Sequence, residues 1–205
     1  MLNFKKIVLV LLFCGVLSGD SWATEKGDFS LGVRSTVSGF GLDHTGTTSM
    51  GAGGQFRIHI LKWLNTEWFA DYSLANVGQL AMREDYHFGW SVMFYVMGHS
   101  RFWSPYILAG HCFDYTEIAQ LKGGTAVKGR WSAAVQLGIG NHFNLSKNVD
   151  LSLSVQYMIH LGDSLEAEVV NYQGKDYAYI HEHSASLEGH VMITASINYK
   201  VLKLW

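Results

Sequence analysis

The sequence predicts an all-β fold, an eight-stranded antiparallel up-and-down β-barrel that crosses a membrane. Three observations predict it: eight segments alternate apolar with polar residues, the connections between them alternate in length, and one proline in 205 residues leaves the strands uninterrupted. The clearest segment is the last, Glu188 to Val201, where Val191, Ile193 and Ile197 share an apolar face. Eleven such residues, tilted by about 40°, rise about 28 Å, which is enough to cross the apolar band of an outer membrane.

The first 23 residues are predicted to be a secretory signal rather than part of the fold. Lys5 and Lys6 precede an apolar run from Ile7 to Leu17, and a stretch of mostly small or polar residues ends at Ala23. The run is shorter than the roughly twenty residues of a membrane-spanning helix. Phe13, next to Cys14, argues against a lipoprotein signal. We therefore expect a signal peptide over residues 1–23 and a barrel domain over residues 24–205.

Composition excludes several classes of protein. Without Lys5, Lys6 and Asp20, the 15 basic and 17 acidic residues become 13 and 16, a formal charge of −3. Nucleic-acid binding would need a basic surplus, so no nucleic-acid partner is expected. Cys112 is then the one cysteine, so no intramolecular disulfide can form. A closed ring of strand ladders would hold the fold instead.

The first four strands are each predicted from one apolar and one polar face. Strand one alternates around Leu31 and Val33, strand two around Phe56 and Ile58, strand three around Trp68, and strand four around Phe88 and Trp90. Their expected ranges are Phe29–Phe40, Gly51–Ile60, Asn65–Ala75 and Asp85–Met97.

Strands five to seven complete the set of eight. Strand five, Pro105 to Tyr115, is the weakest: Ile107 and Phe113 share a face with His111, while Tyr106 and Leu108 share the other face with Cys112 and Asp114, which leaves its register open. Strand six alternates around Leu137 and Ile139, and strand seven around Leu153 and Val155. Their expected ranges are Arg130–Phe143 and Asp150–Leu161.

The connections alternate in length, as short periplasmic turns and longer external loops do in outer-membrane barrels. The short ones are Leu61–Leu64, Gly98–Ser104 and Asn144–Val149; the long ones are Asp43–Met50, Asn76–Glu84, Thr116–Gly129 and Gly162–Leu187. With both termini periplasmic, the short turns lie on the inner side. Aromatic residues then gather at that rim, as in the girdle that such barrels carry: Trp63, Phe102, Trp103, Phe143, Tyr199 and Trp205.

The longest connection, Gly162 to Leu187, has two interpretations. It forms its own hairpin about Gln173-Gly174, or it adds two spanning strands and makes ten. The charges at Glu166, Glu168, Lys175, Asp176 and Glu182 favour the hairpin, because ionised side chains are costly within a membrane.

The export signal, the eight amphipathic strands and the terminal aromatic residue resemble the small outer-membrane barrels of the OmpA-type and OmpW-type families. Segments such as 138–146 (Gly-Ile-Gly-Asn-His-Phe-Asn-Leu-Ser) and 65–72 (Asn-Thr-Glu-Trp-Phe-Ala-Asp-Tyr) are similar to strand-and-turn phrases of that group. Lys203 departs from the pattern, because alternate positions before the final aromatic residue are usually apolar. The resemblance implies an integral protein of the cell outer membrane. Its expected partners are outer-membrane lipid and the barrel-assembly machinery during biogenesis, with a monomeric state.

Several charged residues fall on the polar faces, which turn inward in a membrane barrel: Arg34, Arg57, Glu67, Asp71, Asp85 and Arg130. The same faces contain His59, His142, His160 and His190, with Gln55, Gln136 and Gln156. An eight-stranded barrel is narrow and fills its interior with side chains. The first interpretation is therefore a structural network of ion pairs and hydrogen bonds. The second is a gated narrow pore for small solutes, in which switching an arginine–carboxylate pair opens a water path.

His181 and His183 are the most metal-like residues, because they share a face of an extended strand and could begin a zinc or copper site. A third ligand would have to come from Glu188 or His44. Histidines in loops are more often solvated, so we expect no metal and no cofactor.

The expected function is non-enzymatic: a structural role, or the binding of an extracellular ligand through loops that contain Tyr172, Tyr177 and Tyr179. A lipid-modifying barrel enzyme is a lower alternative, since His183 and Ser184 are adjacent rather than spaced by one residue and would point to opposite faces. A soluble lipocalin-like barrel, with its apolar faces turned inward, is a further alternative, against which the charged and small residues of the polar faces argue.

Overall fold

The computed structural model describes residues 25–40, 48–98, 102–122 and 124–205. The predicted signal peptide and the loop that contains His44 lie outside these residues. Eight strands form: β1 (Asp28–Phe40), β2 (Thr48–Leu61), β3 (Leu64–Val77), β4 (Ala81–Tyr95), β5 (Trp103–Gln120), β6 (Val127–Asn144), β7 (Val149–Tyr172) and β8 (Lys175–Lys203). Each is antiparallel to its neighbours in sequence, and β8 pairs with β1 to close the barrel. The predicted fold class is confirmed.

The strands are longer than the alternation predicted, chiefly at the end of the barrel away from the chain termini. We call that end the loop end, and the end with the termini the turn end. β3 and β4 are joined by only three residues, 78–80, where a nine-residue loop was expected. The prediction was wrong there because Arg83 continues the inward face of β4 beyond Asp85, so pairing runs on to Val77 and Ala81.

β7 and β8 are the longest strands, with 24 and 29 residues. Near their connecting turn, as far as Tyr172 and Lys175, β7 and β8 pair with each other, and no other described strand pairs with them there. The predicted hairpin is therefore confirmed, and the ten-strand alternative is wrong. The hairpin turns at Gln173 and Gly174, with φ values of 53° and 78°. Two successive positive φ values are what the favoured two-residue hairpin turn requires.

The two faces of the sheet separate by polarity as the alternation predicts. Large apolar side chains such as Leu137 and Ile139 lie on the outside and are well exposed, whereas Arg34, Arg57 and Asp71 are buried inside. The lipocalin-like alternative is therefore wrong. On β5, Tyr106, Leu108 and Cys112 face inward while Ile107 and Phe113 face outward, which fixes the register that the sequence left open.

The turn end is closed by the two chain termini. Leu204 N donates to Gly27 O at 2.7 Å, and Gly27 N donates to His59 O at 2.8 Å. A Cβ on Gly27, which has a φ of +87°, would meet the backbone oxygen of Trp205 at 2.5 Å, so the terminal aromatic residue packs on a position that requires glycine. β8 ends at Lys203, two residues beyond Val201, where the apolar alternation ends.

The aromatic residues predicted at the turn end lie there on the outer surface. Trp63, Trp103, Tyr199 and Trp205 are each about half exposed, and Phe102 packs on Phe143 with ring centroids 5.9 Å apart. Among the described residues, no helix has both the length and the apolar character needed to span a membrane.

Candidate functional site

The candidate site is the interior polar network of the barrel, and Arg57 lies near its turn end. Arg57 is fully buried on β2, where period-two alternation turns it inward. Its Nη2 donates to Glu67 Oε2 at 2.8 Å, and its Nη1 donates to Asp150 Oδ1 at 3.1 Å. One guanidinium thus links β2, β3 and β7 across the interior. Five donors in a fixed planar arrangement make arginine suited to this bridging.

Arg34, on β1, forms the next level of the network. Its Nε lies 3.1 Å from Asp71 Oδ1, and its Nη1 lies 3.5 Å from Glu67 Oε1. Glu67 therefore lies between two arginines. The Arg34 guanidinium also lies over the ring of Phe69, with its Cζ 4.3 Å from the centroid, a cation–π contact in a desolvated setting.

Uncharged side chains complete this part of the interior. Gln55 Nε2 donates to Glu67 Oε2 at 3.0 Å and to Asn198 Oδ1 at 2.6 Å. Asn198 Nδ2 donates to Asp150 Oδ1 at 2.8 Å. Hydrogen bonds from neutral donors help to offset the cost of burying the carboxylates.

A histidine–aspartate cluster lies further toward the loop end. Asp114 Oδ2 is 2.7 Å from His160 Nδ1, and His160 Nε2 is 3.1 Å from His190 Nδ1. His87 Nε2 lies 3.6 Å from the other Asp114 oxygen, and Cys112 Sγ donates to the same oxygen at 3.1 Å. Parity predicted His160 and His190 on inward faces, whereas the faces of Asp114 and Cys112 were left open with the register of strand five. All five residues of the cluster fall on inward faces.

Asp85 and Arg130 occupy the loop end of the interior. Asp85 is buried, pairs with Arg83 Nε at 3.0 Å and accepts a hydrogen bond from Thr116 at 2.7 Å. Arg83 was not predicted in the network, because the predicted strand began two residues later. Arg130 is only half-buried, on β6 opposite Thr116.

Above these groups, an apolar cluster covers the mouth of the barrel. This mouth cluster consists of Val77, Ala81, Ile118, Leu165, Ala178 and Ile180, all buried. Half of its members come from the β7–β8 hairpin and half from β3, β4 and β5, so the hairpin packs over the loop end of these three strands. The interior is thus filled with paired polar groups below and covered with apolar side chains above.

Of the predicted metal ligands, the structure describes the side chain of His181 alone. His181 Nε2 lies 2.7 Å from Glu168 Oε1, and the side chains of His183 and Glu188 fall outside the described parts of the structure. Within residues 25–40, 48–98, 102–122 and 124–205, no group of three or more His, Cys, Asp or Glu residues is arranged to hold a metal ion.

Several solved structures share this architecture. Neisserial surface protein A is 15% identical, with a TM-score of 0.54 over 84% of this chain and 97% of that one. Ail, the attachment invasion locus protein of Yersinia pestis, is 11% identical, with a TM-score of 0.53 over 86% of this chain and 100% of that one. The outer membrane protein OprG from Pseudomonas aeruginosa is 17% identical, with a TM-score of 0.51 over 89% of this chain and 100% of that one.

Identities this low show the fold alone. No protein-family model matches the chain, and no curated protein sequence matches it either. The chain has the fold of the small eight-stranded outer-membrane β-barrels, which confirms the predicted architectural resemblance.

Proposed function

We propose that this protein is an integral, non-enzymatic barrel of the cell outer membrane that presents its β7–β8 hairpin as a binding surface outside the cell. The fold likeness and the apolar outer wall support the membrane placement. In this proposal residues 1–23 are the export signal and residues 24–205 the barrel, assembled as a monomer by the barrel-assembly machinery.

The observation that carries the proposal is the structure of the hairpin. Beyond a register shift at Gly162/Ser164, β7 and β8 remain paired from Ser164 opposite His183 to Tyr172 opposite Lys175. Directly opposed residues of an antiparallel pair lie on the same face. The hairpin therefore has two distinct faces, an inner one over the mouth and an outer one.

The inner face fixes the hairpin to the barrel. Leu165 and Ile180 pack in the mouth cluster. Gln120 Nε2 donates to Ala178 O at 2.7 Å, and Arg83 Nη1 donates to Leu165 O at 3.4 Å. These contacts hold the base of the hairpin in one orientation, which lowers the entropy cost of binding a partner.

The outer face exposes a patch that we call the tyrosine face: Val170, Tyr172, Tyr177 and Tyr179. These four side chains are 40%, 64%, 39% and 58% exposed. Tyrosines supply large amphipathic contact area with few rotatable bonds, which suits a binding surface. Tyr179 packs edge-to-face on His181, with centroids 4.3 Å apart, so part of the patch is already ordered.

Charge narrows the class of ligand. Residues 163–182 contain five acidic residues and one lysine, a formal charge of −4. Ail of Yersinia pestis has been solved in complex with the heparin analogue sucrose octasulfate, a polyanion. The acidic hairpin of the present chain argues against a polyanionic ligand and favours a neutral or basic one.

The binding proposal is tested by panning a phage-displayed random peptide library against the barrel in nanodiscs. Enriched peptides should bind at least tenfold more weakly when Tyr172, Tyr177 and Tyr179 are all replaced by serine. Because these substitutions leave the charge of the hairpin unchanged, the loss would be due to the tyrosine contacts. The matched control replaces Leu121 and Val127 by serine. Both are exposed apolar residues at the same end of the barrel, Leu121 in the β5–β6 connection and Val127 at the adjoining end of β6. Equal loss in both variants, or no enrichment, would contradict the proposal.

The non-enzymatic part of the proposal has its own test. Mass spectrometry of lipid A from cells that overexpress the protein should match that from cells without it. A new acylated or deacylated species would show a lipid-modifying enzyme instead.

A further inference from the structure

An apolar groove runs along the outside of the barrel over β1 to β5. Its volume is about 720 Å³, and small residues form its floor, chiefly Gly54 and Ala70. Large apolar side chains form its walls: Leu31, Phe56, Trp68, Phe88, Trp90 and Phe113. The floor is so thin that Gln55 and Phe69, which face the interior, also line it.

The register of the strands builds the groove. Gly54 lies opposite Ala70, and Ala70 lies opposite Phe88, so two small residues meet in one row of the outer wall. In the next row of outward-facing residues toward the turn end, Phe56 lies opposite Trp68 and Trp68 lies opposite Trp90. Phe56 and Trp68 stack at 6.0 Å and 6°, and Trp68 and Trp90 pack at 6.2 Å. A row of packed aromatic side chains therefore borders a row of small residues.

On β4 and β5, the row on the loop-end side of the groove marks where the apolar wall ends, since Glu84 and Glu117 lie in the row beyond it. Tyr72 and Tyr86 direct their hydroxyls to Glu84 at 3.0 Å and 3.3 Å, and Tyr115 directs its hydroxyl to Glu117 at 3.2 Å. Tyrosines with bonded polar tips on an apolar wall are typical of the membrane–water interface. The groove floor lies two residues below this row, about 7 Å along the strand. The groove floor is therefore at the depth of the lipid acyl chains in the membrane leaflet at the loop end.

We propose that this groove is a specific site for one acyl chain of an outer-leaflet lipid. This rests on the membrane placement proposed above. The groove is continuous with the apolar wall that faces lipid, and at that depth the surrounding medium is hydrocarbon. A linear chain seated against the aromatic wall gains close dispersion contacts that a smoothly curved barrel surface does not offer. The bound lipid is therefore held longer than its neighbours around the barrel.

Gly54 provides a direct test, because its side-chain position points into the groove. The nearest atom to a Cβ built there is Gly32 O at 3.8 Å, so a Cβ at this position meets no obstacle. Gly54→Leu should fold as the native chain does and fill the floor of the groove. Gly39→Leu is the matched control, since Gly39 also lies on the exposed face of a strand and a Cβ there has no atom within 4 Å.

Native mass spectrometry of the barrel, extracted from membranes in mild detergent, measures the retained lipid. We expect one lipid to stay on the native protein and on the Gly39→Leu variant, with at least tenfold less retention on Gly54→Leu. No retained lipid on the native protein, or equal retention on Gly54→Leu, would overturn the proposal. A dimer that Gly54→Leu converts to monomer would overturn it as well, because a second copy would then fill the groove.

Membrane fractionation and heat-modifiable gel migration of the same samples separate this proposal from the previous one. A folded protein found in the membrane with equal lipid retention in both variants refutes the acyl-chain site alone. A protein that is soluble without detergent refutes both proposals.

Discussion

The same kind of ion pair occurs buried in the interior of the barrel and exposed between β6 and the hairpin. Arg57 and Glu67 approach to 2.8 Å with side chains 0% and 9% exposed, whereas Lys128 and Glu182 approach to 3.0 Å with side chains 41% and 59% exposed. The distances are nearly equal, so burial decides what each pair contributes. An exposed pair contributes about 0–1 kcal/mol, whereas removing one partner of a buried pair leaves an uncompensated charge and costs about 3–5 kcal/mol.

The largest effect is expected inside the barrel. Arg57→Ala leaves Glu67 and Asp150 buried without their shared cation, and should lower the free energy of unfolding by about 3–5 kcal/mol. Urea unfolding in lipid vesicles, followed by heat-modifiable gel migration, measures it. A loss below about 1 kcal/mol would show that the interior arginine is not a main stabilising group.

The next effect is expected where the two regions meet. Leu165→Ala should remove contacts from the mouth cluster, where Leu165 is 1% exposed, and cost about 2–3 kcal/mol. The loss should be local to the hairpin, so trypsin should cut after Lys175 faster than in the native protein. Val170→Ala, on the outer face, is the control and should leave the cleavage rate unchanged; equal acceleration by both substitutions would contradict the assignment of the inner face.

A smaller effect is expected from the exposed pair. Lys128→Ala should change the free energy of unfolding by less than about 1 kcal/mol. The change should vanish in 1 M salt, where the Debye length is only about 3 Å, whereas the Arg57→Ala effect should persist because salt barely reaches the interior. If salt reduced both effects equally, the contrast in burial would not explain them.

The smallest effect is expected at the turn end, where Lys203 Nζ donates to Glu25. This hydrogen bond lowers the pKa of Glu25 from its ordinary value. Because the folded pKa is the lower one, the pair stabilises the closed end above the ordinary carboxyl range, and this is lost as pH falls through the lowered value. The protection of the Leu204 amide from hydrogen exchange, relative to its intrinsic exchange rate at each pH, should therefore fall on acidification in the native protein. Glu25→Gln should remove that dependence, and an unchanged pH profile would contradict the assignment.

Period-two alternation was enough to predict most of the interior from the sequence. Arg34, Arg57, Glu67, Asp71 and Asp85 are buried as their parity indicates. Parity placed His160 and His190 inside the barrel but could not predict that they meet Asp114 and His87, for a physical reason. His87, Asp114 and His190 belong to strands that are not all neighbours, and which inward residues meet across a barrel depends on stagger between strands, which alternation does not contain.

The groove could not be predicted from the sequence for the same reason. Gly54 and Ala70 are sixteen positions apart, and only the β2–β3 register places them side by side. The hairpin, by contrast, could be predicted, because Gln173-Gly174 is a local turn signal between two strand-like segments.

Conductance in planar lipid bilayers shows whether the polar network and the mouth cluster leave a water path through the barrel, or whether the barrel is a closed support for its hairpin. The folded fraction should first be checked by heat-modifiable migration on a gel. We expect the folded native protein to give no discrete conductance steps at either polarity. Stable, reproducible steps from the same folded protein would contradict this expectation and establish the narrow pore.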